Sequence, residues 1–260
     1  GGGHVECCEL LLELSALVNA PKLNSGLTPL HLACAGGHLA AVKFLILHAA
    51  AIDAASEIPG ESGRVRGEKI TPLMAATREG RGDVMRILLE GVQVKHTQVR
   101  CAVDLSNVTG QTALHIAAAR GDTKLCALLV SFRANIQALD GMGETPLHHA
   151  VYSRSSDAVA FLLEKGADIL AQASNGQTAM QQCATAIAAL ERASKRRDLT
   201  EDEAFQEGEN ILVMEVLIEN GASIPDSDRH YVLGVPEELR AAIEINAQLA
   251  RRKASMRDLL

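Results

Sequence analysis

Thr112-Ala-Leu-His-Ile-Ala, Thr145-Pro-Leu-His-His-Ala and Thr178-Ala-Met-Gln-Gln-Cys are three forms of one phrase, and their threonines stand 33 residues apart. Two earlier forms, Thr28-Pro-Leu-His-Leu-Ala and Thr71-Pro-Leu-Met-Ala-Ala, are separated from the next phrase by 43 and 41 residues. A phrase returning at a fixed period marks an array of small units that bury their apolar faces on one another, not one globular core. The chemistry of each unit is legible at its helix ends. Thr followed by Pro is a capping residue followed by the residue favoured at the first helical position. Thr28, Thr71 and Thr145 have both, whereas Thr112 and Thr178 keep the cap and carry Ala next.

The first helix of each unit is short and small-faced. Ala33, Cys34, Ala76, Ala117, Ala118 and Ala150 let neighbouring helices approach. The second helix carries larger apolar residues at helical spacing: Val42, Leu45 and Ile46; Val84, Ile87 and Leu88; Val159, Leu162 and Leu163; Val213, Val216, Leu217 and Ile218. A glycine is then expected to end the helix in the left-handed conformation, at Gly91, Gly166 and Gly221. Ala49 and Arg133 stand where that glycine belongs, which makes them soft joints.

The bulk numbers agree with tightly stacked helices. Hydrophobic residues are 47% of the 260, aromatics only 2%, and Trp is absent, so the core is built from Leu, Ala, Val and Ile. The net charge of −7 argues against a general nucleic-acid binder, which carries a basic footprint. Six cysteines without a Cys-x-x-Cys pair give no disulfide framework and point to an intracellular, cytoplasmic setting. No apolar run approaches the ~20 residues that cross a bilayer, so no membrane insertion is expected.

The phrase and its period resemble the ankyrin repeat. The resemblance implies an all-α solenoid with short β-hairpin fingers, of about five repeats plus an N-terminal half repeat and a C-terminal capping helix. It implies a repeat array over residues 1–225, with a C-terminal extension over 226–260. Gly2-Gly3-His4-Val5 matches Gly36-Gly37-His38-Leu39, so the chain opens on the second helix of a repeat whose first helix is absent, and part of a longer array is expected. Insertions are read at 54–70 and 92–111, in the fingers, and at 191–209, between the two helices of the last repeat. The second insertion alternates apolar and polar residues from Val92 and reads as a lengthened β-hairpin. In the third, Thr200 with Glu203 forms a capping box. Pro236-Glu-Glu opens the final helix, along which Leu239, Ile243 and Ala247 form one apolar stripe.

No nucleophile–base pattern, phosphate loop or metal spacing appears, so no enzyme activity, cofactor or metal is expected. His31, His115 and His148 belong to the repeated phrase, and the resemblance implies hydrogen bonds from them to a neighbouring repeat. His148 and His149 are adjacent on a helix and face apart, so no joint metal site follows. In the family, exposed positions of the first helices and fingers line a concave groove that binds other macromolecules. Carried over residue by residue, these are Ala75, Arg78 and Glu79; Ile116, Ala119 and Arg120; His149, Tyr152 and Ser153. Arg78, Arg120 and Tyr152 occupy closely related helix positions and are expected to form a row, with Arg64, Arg66, Lys95 and Arg100 rising on the fingers. The expected function is a protein–protein interaction scaffold that holds a partner segment of acidic or polar character. The alternatives are a docking subunit of a large assembly and the regulatory portion of a larger enzyme.

Overall fold

The structure, a computed structural model, describes residues 3–56, 68–194, 200–224 and 235–257. Among the described residues the architecture is all-α with one small β-hairpin, and the chain divides into two compact units, Gly1–Gly141 and Met142–Leu260. The first unit opens with α1 (Val5–Glu13), followed by three helix pairs: α2 (Pro29–Gly36) with α3 (Leu39–Leu47), α4 (Pro72–Arg78) with α5 (Gly82–Glu90), and α6 (Ala113–Ala119) with α7 (Thr123–Ser131). Between α5 and α6 stands an antiparallel hairpin, β1 (Val92–Val94) and β2 (Thr97–Val99), with Val92 opposite Val99. First helices pack on first helices (α2 on α4, α4 on α6) and second on second (α1 on α3, α3 on α5, α5 on α7). The second unit repeats the scheme with α8 (Pro146–Tyr152), α9 (Ser156–Glu164), α10 (Ala179–Ser194) and α11 (Glu201–Glu219), after which α12 (Glu237–Arg257) packs on α11.

The core falls where the phrase places it. Leu30, Leu73, Leu114 and Leu147, each the second residue after its cap, are fully buried, and so are Val42, Val84, Val159 and Val213 on the second helices. Burying one such side chain contributes roughly 1.5–3 kcal/mol. The small residues Cys34, Ala76, Ala117 and Ala150 have no exposed surface, which is why adjacent first helices can approach closely. Among the described residues no first helix packs on α1, and Leu10, Leu11, Leu14 and Leu17 are exposed.

The buried histidines brace one repeat to the next. Nδ1 of His31 lies 3.1 Å from the Thr28 amide nitrogen, which donates to it, so the proton of the neutral ring sits on Nε2. That Nε2 donates to the Ile70 carbonyl at 2.7 Å, one residue before the next cap. Burial lowers the pKa of His31 and holds the ring neutral. In the second unit His148 does the same between Thr145 and the Gln177 carbonyl. In the fifth phrase Gln181 replaces the histidine, and its Oε1 accepts from the Thr178 amide at 2.7 Å. A parallel ladder of side chains ties the turns of the first unit. Asn19 Oδ1 accepts from the Ala51 amide, Asp53 from Ala102, and Asp104 from Asn135.

Each interruption of the period has a local cause. The first finger insertion is closed at its neck, where the Ser56 amide donates to the Ile70 carbonyl and the Ile70 amide to the Ser56 hydroxyl. The second is the expected hairpin, with Lys95 and His96 as its two-residue turn. The third begins its second arm at the expected capping box, Thr200 with Glu203.

One helix end differs from its expectation. Gly166 and Gly221 have positive φ and follow their helices, but Gly91 combines φ 89° with ψ 166°. That is not the left-handed helical conformation; it is an extended region that only glycine occupies readily. Here the chain must turn straight into β1, so the helix stops without an overwound last turn. Ala49 and Arg133 do take the left-handed conformation, each with φ 64° and each closing its helix with bonds back to the last turn. Replacing either with glycine relieves the Cβ strain, partly offset by the greater freedom of glycine in the unfolded chain. Ala49→Gly and Arg133→Gly are each expected to stabilise by a few tenths to ~1 kcal/mol, read by chemical denaturation. A loss of stability in both would show that the freedom of glycine in the unfolded chain outweighs the strain at these joints.

Candidate functional site

α4, α6 and α8 bury most of their length and surface chiefly at their C-terminal ends, whereas α2 also exposes Leu32 in its interior. α4 buries Pro72 to Thr77 and exposes Arg78 and Glu79, and α6 exposes Ala119 and Arg120. The cause is the small-residue packing, which leaves room for long polar side chains only past the last contact. Arg78 Nη2 donates to Glu68 at 2.9 Å in an exposed ion pair, worth little by itself. Beneath this pair lies a cavity of about 310 Å³ lined by Leu27, Ser56, Ile70 and Arg78. Arg120 does more than face solvent. Its Nη1 donates to the carbonyl of Arg78, and Arg81 makes the equivalent bond to the carbonyl of Ala35 at 3.0 Å. These guanidinium groups satisfy carbonyls that the helix C-termini leave without partners. Arg120 is therefore an interrepeat brace as well as a surface cation.

On the hairpin, Lys95, His96 and Arg100 are exposed. Lys95 adopts φ 54° in the tight turn. Arg64 and Arg66 fall outside the described residues.

In the second unit α8 ends in the exposed Tyr152, as expected, but His149 is buried at 8% exposure, contrary to its reading as a surface position. Ala75 is buried in the first unit, where neighbouring first helices approach closely. The element that buries His149 is a carboxylate whose position the phrase alone does not reveal. Glu144, next to the Thr145 cap, is only 4% exposed. It accepts from Tyr152 Oη at 3.1 Å and from Gln182 Nε2 at 2.9 Å, while His149 Nε2 lies 3.7 Å from its second oxygen. The Tyr152 ring meets the His149 ring edge-on at 6.4 Å. Gln182 is the counterpart of His149 one repeat on, and its amide nitrogen also donates to Tyr152 Oη at 3.2 Å. The network fixes Tyr152 by its hydroxyl and leaves its ring outside. A signal exists in the sequence: polar His149 and Gln182 occupy a slot that is Leu32, Ala75 or Ile116 elsewhere.

All six cysteines are free thiols. Cys101, Cys126 and Cys183 are pushed up to about 12 by burial, and Cys34 is raised further by the same cause. A neutral, enclosed thiol is a poor nucleophile. Native-state alkylation is expected to modify Cys7 and Cys8, on α1, and to spare the other four until the chain is denatured. Mass spectrometry after a short iodoacetamide pulse reads this; early labelling of Cys126 or Cys183 would contradict the packing described.

Among the described residues, no helix is long and apolar enough to cross a membrane.

Comparison with known proteins agrees with this architecture. The family model for ankyrin repeats (three copies) matches residues 1–98 and 94–173. The chain is 35% identical to a palmitoyltransferase of Lachancea kluyveri over 75 residues, covering 29% of this chain and 10% of that protein. It is 32% identical to an E3 ubiquitin-protein ligase of Arabidopsis thaliana over 81 residues, 31% of this chain and 5% of that protein. It is 40% identical to ankyrin repeat and SAM domain-containing protein 6 of Rattus norvegicus over 78 residues, 30% of this chain and 9% of that protein. The chain thus spans a tenth or less of each of these relatives. With the family model covering most of the chain, and its capped helix pairs now seen, the chain belongs to the ankyrin repeat family.

Proposed function

We propose that this chain is an intracellular protein–protein interaction scaffold without catalytic activity of its own. The observation that carries the reading is the contrast along the first helices. On α4, α6 and α8 the residues that could be variable surface are mostly buried, and what remains exposed at the helix ends is Arg78, Glu79, Ala119, Arg120 and Tyr152, with Lys95 and Arg100 on the hairpin. Arg and Tyr are the types that carry binding energy at protein interfaces. Tyr152 is also held in place by Glu144 and Gln182, so less side-chain entropy is lost on binding. The cations select an acidic or polar partner segment on a chain that is otherwise acidic. Arg64 and Arg66 extend the same reading from the first finger insertion.

The test is affinity capture followed by binding kinetics of variants. Arg78→Ala and Tyr152→Ala are expected to weaken the captured partner by more than ~1 kcal/mol. Arg120→Ala needs a parallel denaturation curve, because it also removes the bond to the Arg78 carbonyl. Charge reversal at Lys95 and Arg100 is expected to slow association and flatten its salt dependence.

A docking role in a larger assembly has an observation of its own. Phe205 and Leu212 are both exposed on α11, two turns apart and so on one face. If binding survives every first-helix substitution and is lost on changing Phe205 and Leu212 to Ser, this second reading replaces the first. The regulatory portion of a larger enzyme is supported by the enzyme names among the relatives, and a partner domain on the same polypeptide would then be the ligand.

A further inference from the structure

Among the described residues, six other than glycine have positive φ: Ser15, Ala49, Lys69, Lys95, Arg133 and Arg154. Four of these are cations, although positive φ favours Gly and, less strongly, Asn, Asp and His. Backbone strain kept where glycine would relieve it points to a use for the side chain. For Arg133 the structure shows one. A groove of about 550 Å³ in the first unit is lined by Leu89, Arg100, Cys101, Ala102, Val103, Phe132 and Arg133. Its two arginines, Arg100 and Arg133, are exposed, and their guanidinium groups have no ion-pair or hydrogen-bond partner among the described residues. The third polar side chain in the lining, Cys101, is a neutral thiol and does not oppose an anion. Asp53 and Asp104 adjoin this lining; each accepts from a backbone amide, of Ala102 and of Asn135, and the Asp53 charge reaches Cys101. Val103 and Phe132, both half-buried, supply an apolar side to the same groove.

We infer that this groove binds the phosphoryl group of a phosphoserine- or phosphothreonine-containing protein segment, with Arg100 and Arg133 as its two cationic ligands and Val103 and Phe132 receiving an apolar neighbour of the modified residue. Two guanidinium forks match a dianion in charge and in hydrogen-bond geometry better than they match a single carboxylate. The source is a protein segment rather than nucleic acid, because the rest of the chain is net acidic and repels an extended polyanion. The site shares Arg100 with the interface proposed above and uses none of its first-helix residues, so each can fail without the other.

Fluorescence anisotropy with a labelled hexapeptide, one central phosphoserine between leucines, tests this on the full chain. Binding is expected for the phosphopeptide and not for its serine form. Arg133→Gln and Arg100→Gln are expected to weaken it by about tenfold each, as loss of a charge-assisted contact does. The informative variant is Arg133→Gly, which is expected to melt higher and yet bind at least as weakly as Arg133→Gln, so that loss of binding cannot be loss of fold. Ala49→Gly, the same backbone change at a joint without the groove, and Lys124→Gln, removal of an exposed cation elsewhere, are expected to bind normally. Tyr152→Ala is also expected to bind normally, which separates this site from the first-helix interface. Equal binding of the serine peptide, or unchanged binding in Arg133→Gly, overturns the assignment. So does binding of inositol-phosphate vesicles or single-stranded oligonucleotide with no binding of the phosphopeptide.

Discussion

Gly91→Ala is expected to destabilise the protein by about 2–3 kcal/mol or more. Two costs combine at this position. The conformation, φ 89° with ψ 166°, is one that an L-residue adopts only under strain. A Cβ there would also stand 2.7 Å from the carbonyl oxygen of Val99, with Arg100 Cβ at 3.0 Å. The nearest obstacle is backbone on the returning strand, so the clash cannot be relieved by a rotamer change. Either the Val92–Val99 pairing opens or α5 frays from its C-terminus, where Leu88 and Leu89 are buried. By contrast, at Gly166 and Gly221 a Cβ meets nothing within 4 Å, so Ala there carries only the positive-φ strain, roughly 1 kcal/mol. Chemical denaturation of the three variants checks the ranking. Equal losses at Gly91 and Gly166 would show that the hairpin does not constrain the helix end.

Removal of residues 236–260 is expected to cost several kcal/mol and to lower solubility. Ile243 and Ala247 of α12 are buried, and Val235 just before the helix is fully enclosed. Asn246 donates from Nδ2 to the carbonyl of Ile218 at 2.8 Å, which also accepts from the Gly221 amide, and to that of Ala222 at 3.1 Å, just past the end of α11. Burial of an Ile alone contributes roughly 1.5–3 kcal/mol, and a buried carbonyl left without its donor adds to the loss. Exposing the covered side of α11 then adds an apolar patch next to Phe205 and Leu212, already exposed. Differential scanning fluorimetry and light scattering of the truncated chain read both effects. A truncated protein as stable and as soluble as the full chain would show that α12 is a connector or a partner-binding element and not a cap.

What the sequence disclosed and what it concealed divides along physical lines. The Thr caps, the buried Leu of each phrase, the second-helix rows and the Thr200–Glu203 box are local interactions, set by residues three or four apart, and they were legible. So was the hairpin at 92–99, since alternation fixes register over a short span. Even the joints at Ala49 and Arg133 followed from the missing glycine. The conformation of Gly91 did not, because glycine is compatible with several regions and its φ/ψ is chosen by the strand it feeds. The burial of His149 depends on Glu144 and on Gln182, which lies 38 residues from Glu144, and no local pattern carries that pairing. Arg120 read as a surface cation because its bond to the Arg78 carbonyl also spans two repeats.

The central claim is that a partner lies on the exposed ends of the first helices and on the hairpin. Hydrogen–deuterium exchange of the chain, alone and saturated with the captured partner, tests it most directly. The account predicts new protection around Arg78–Gly80, Arg120–Gly121, Tyr152–Ser153 and the Lys95–His96 turn, with α11 and α12 unchanged. Protection confined to α11 and α12, with the first-helix ends and the hairpin exchanging as in the free chain, would contradict it.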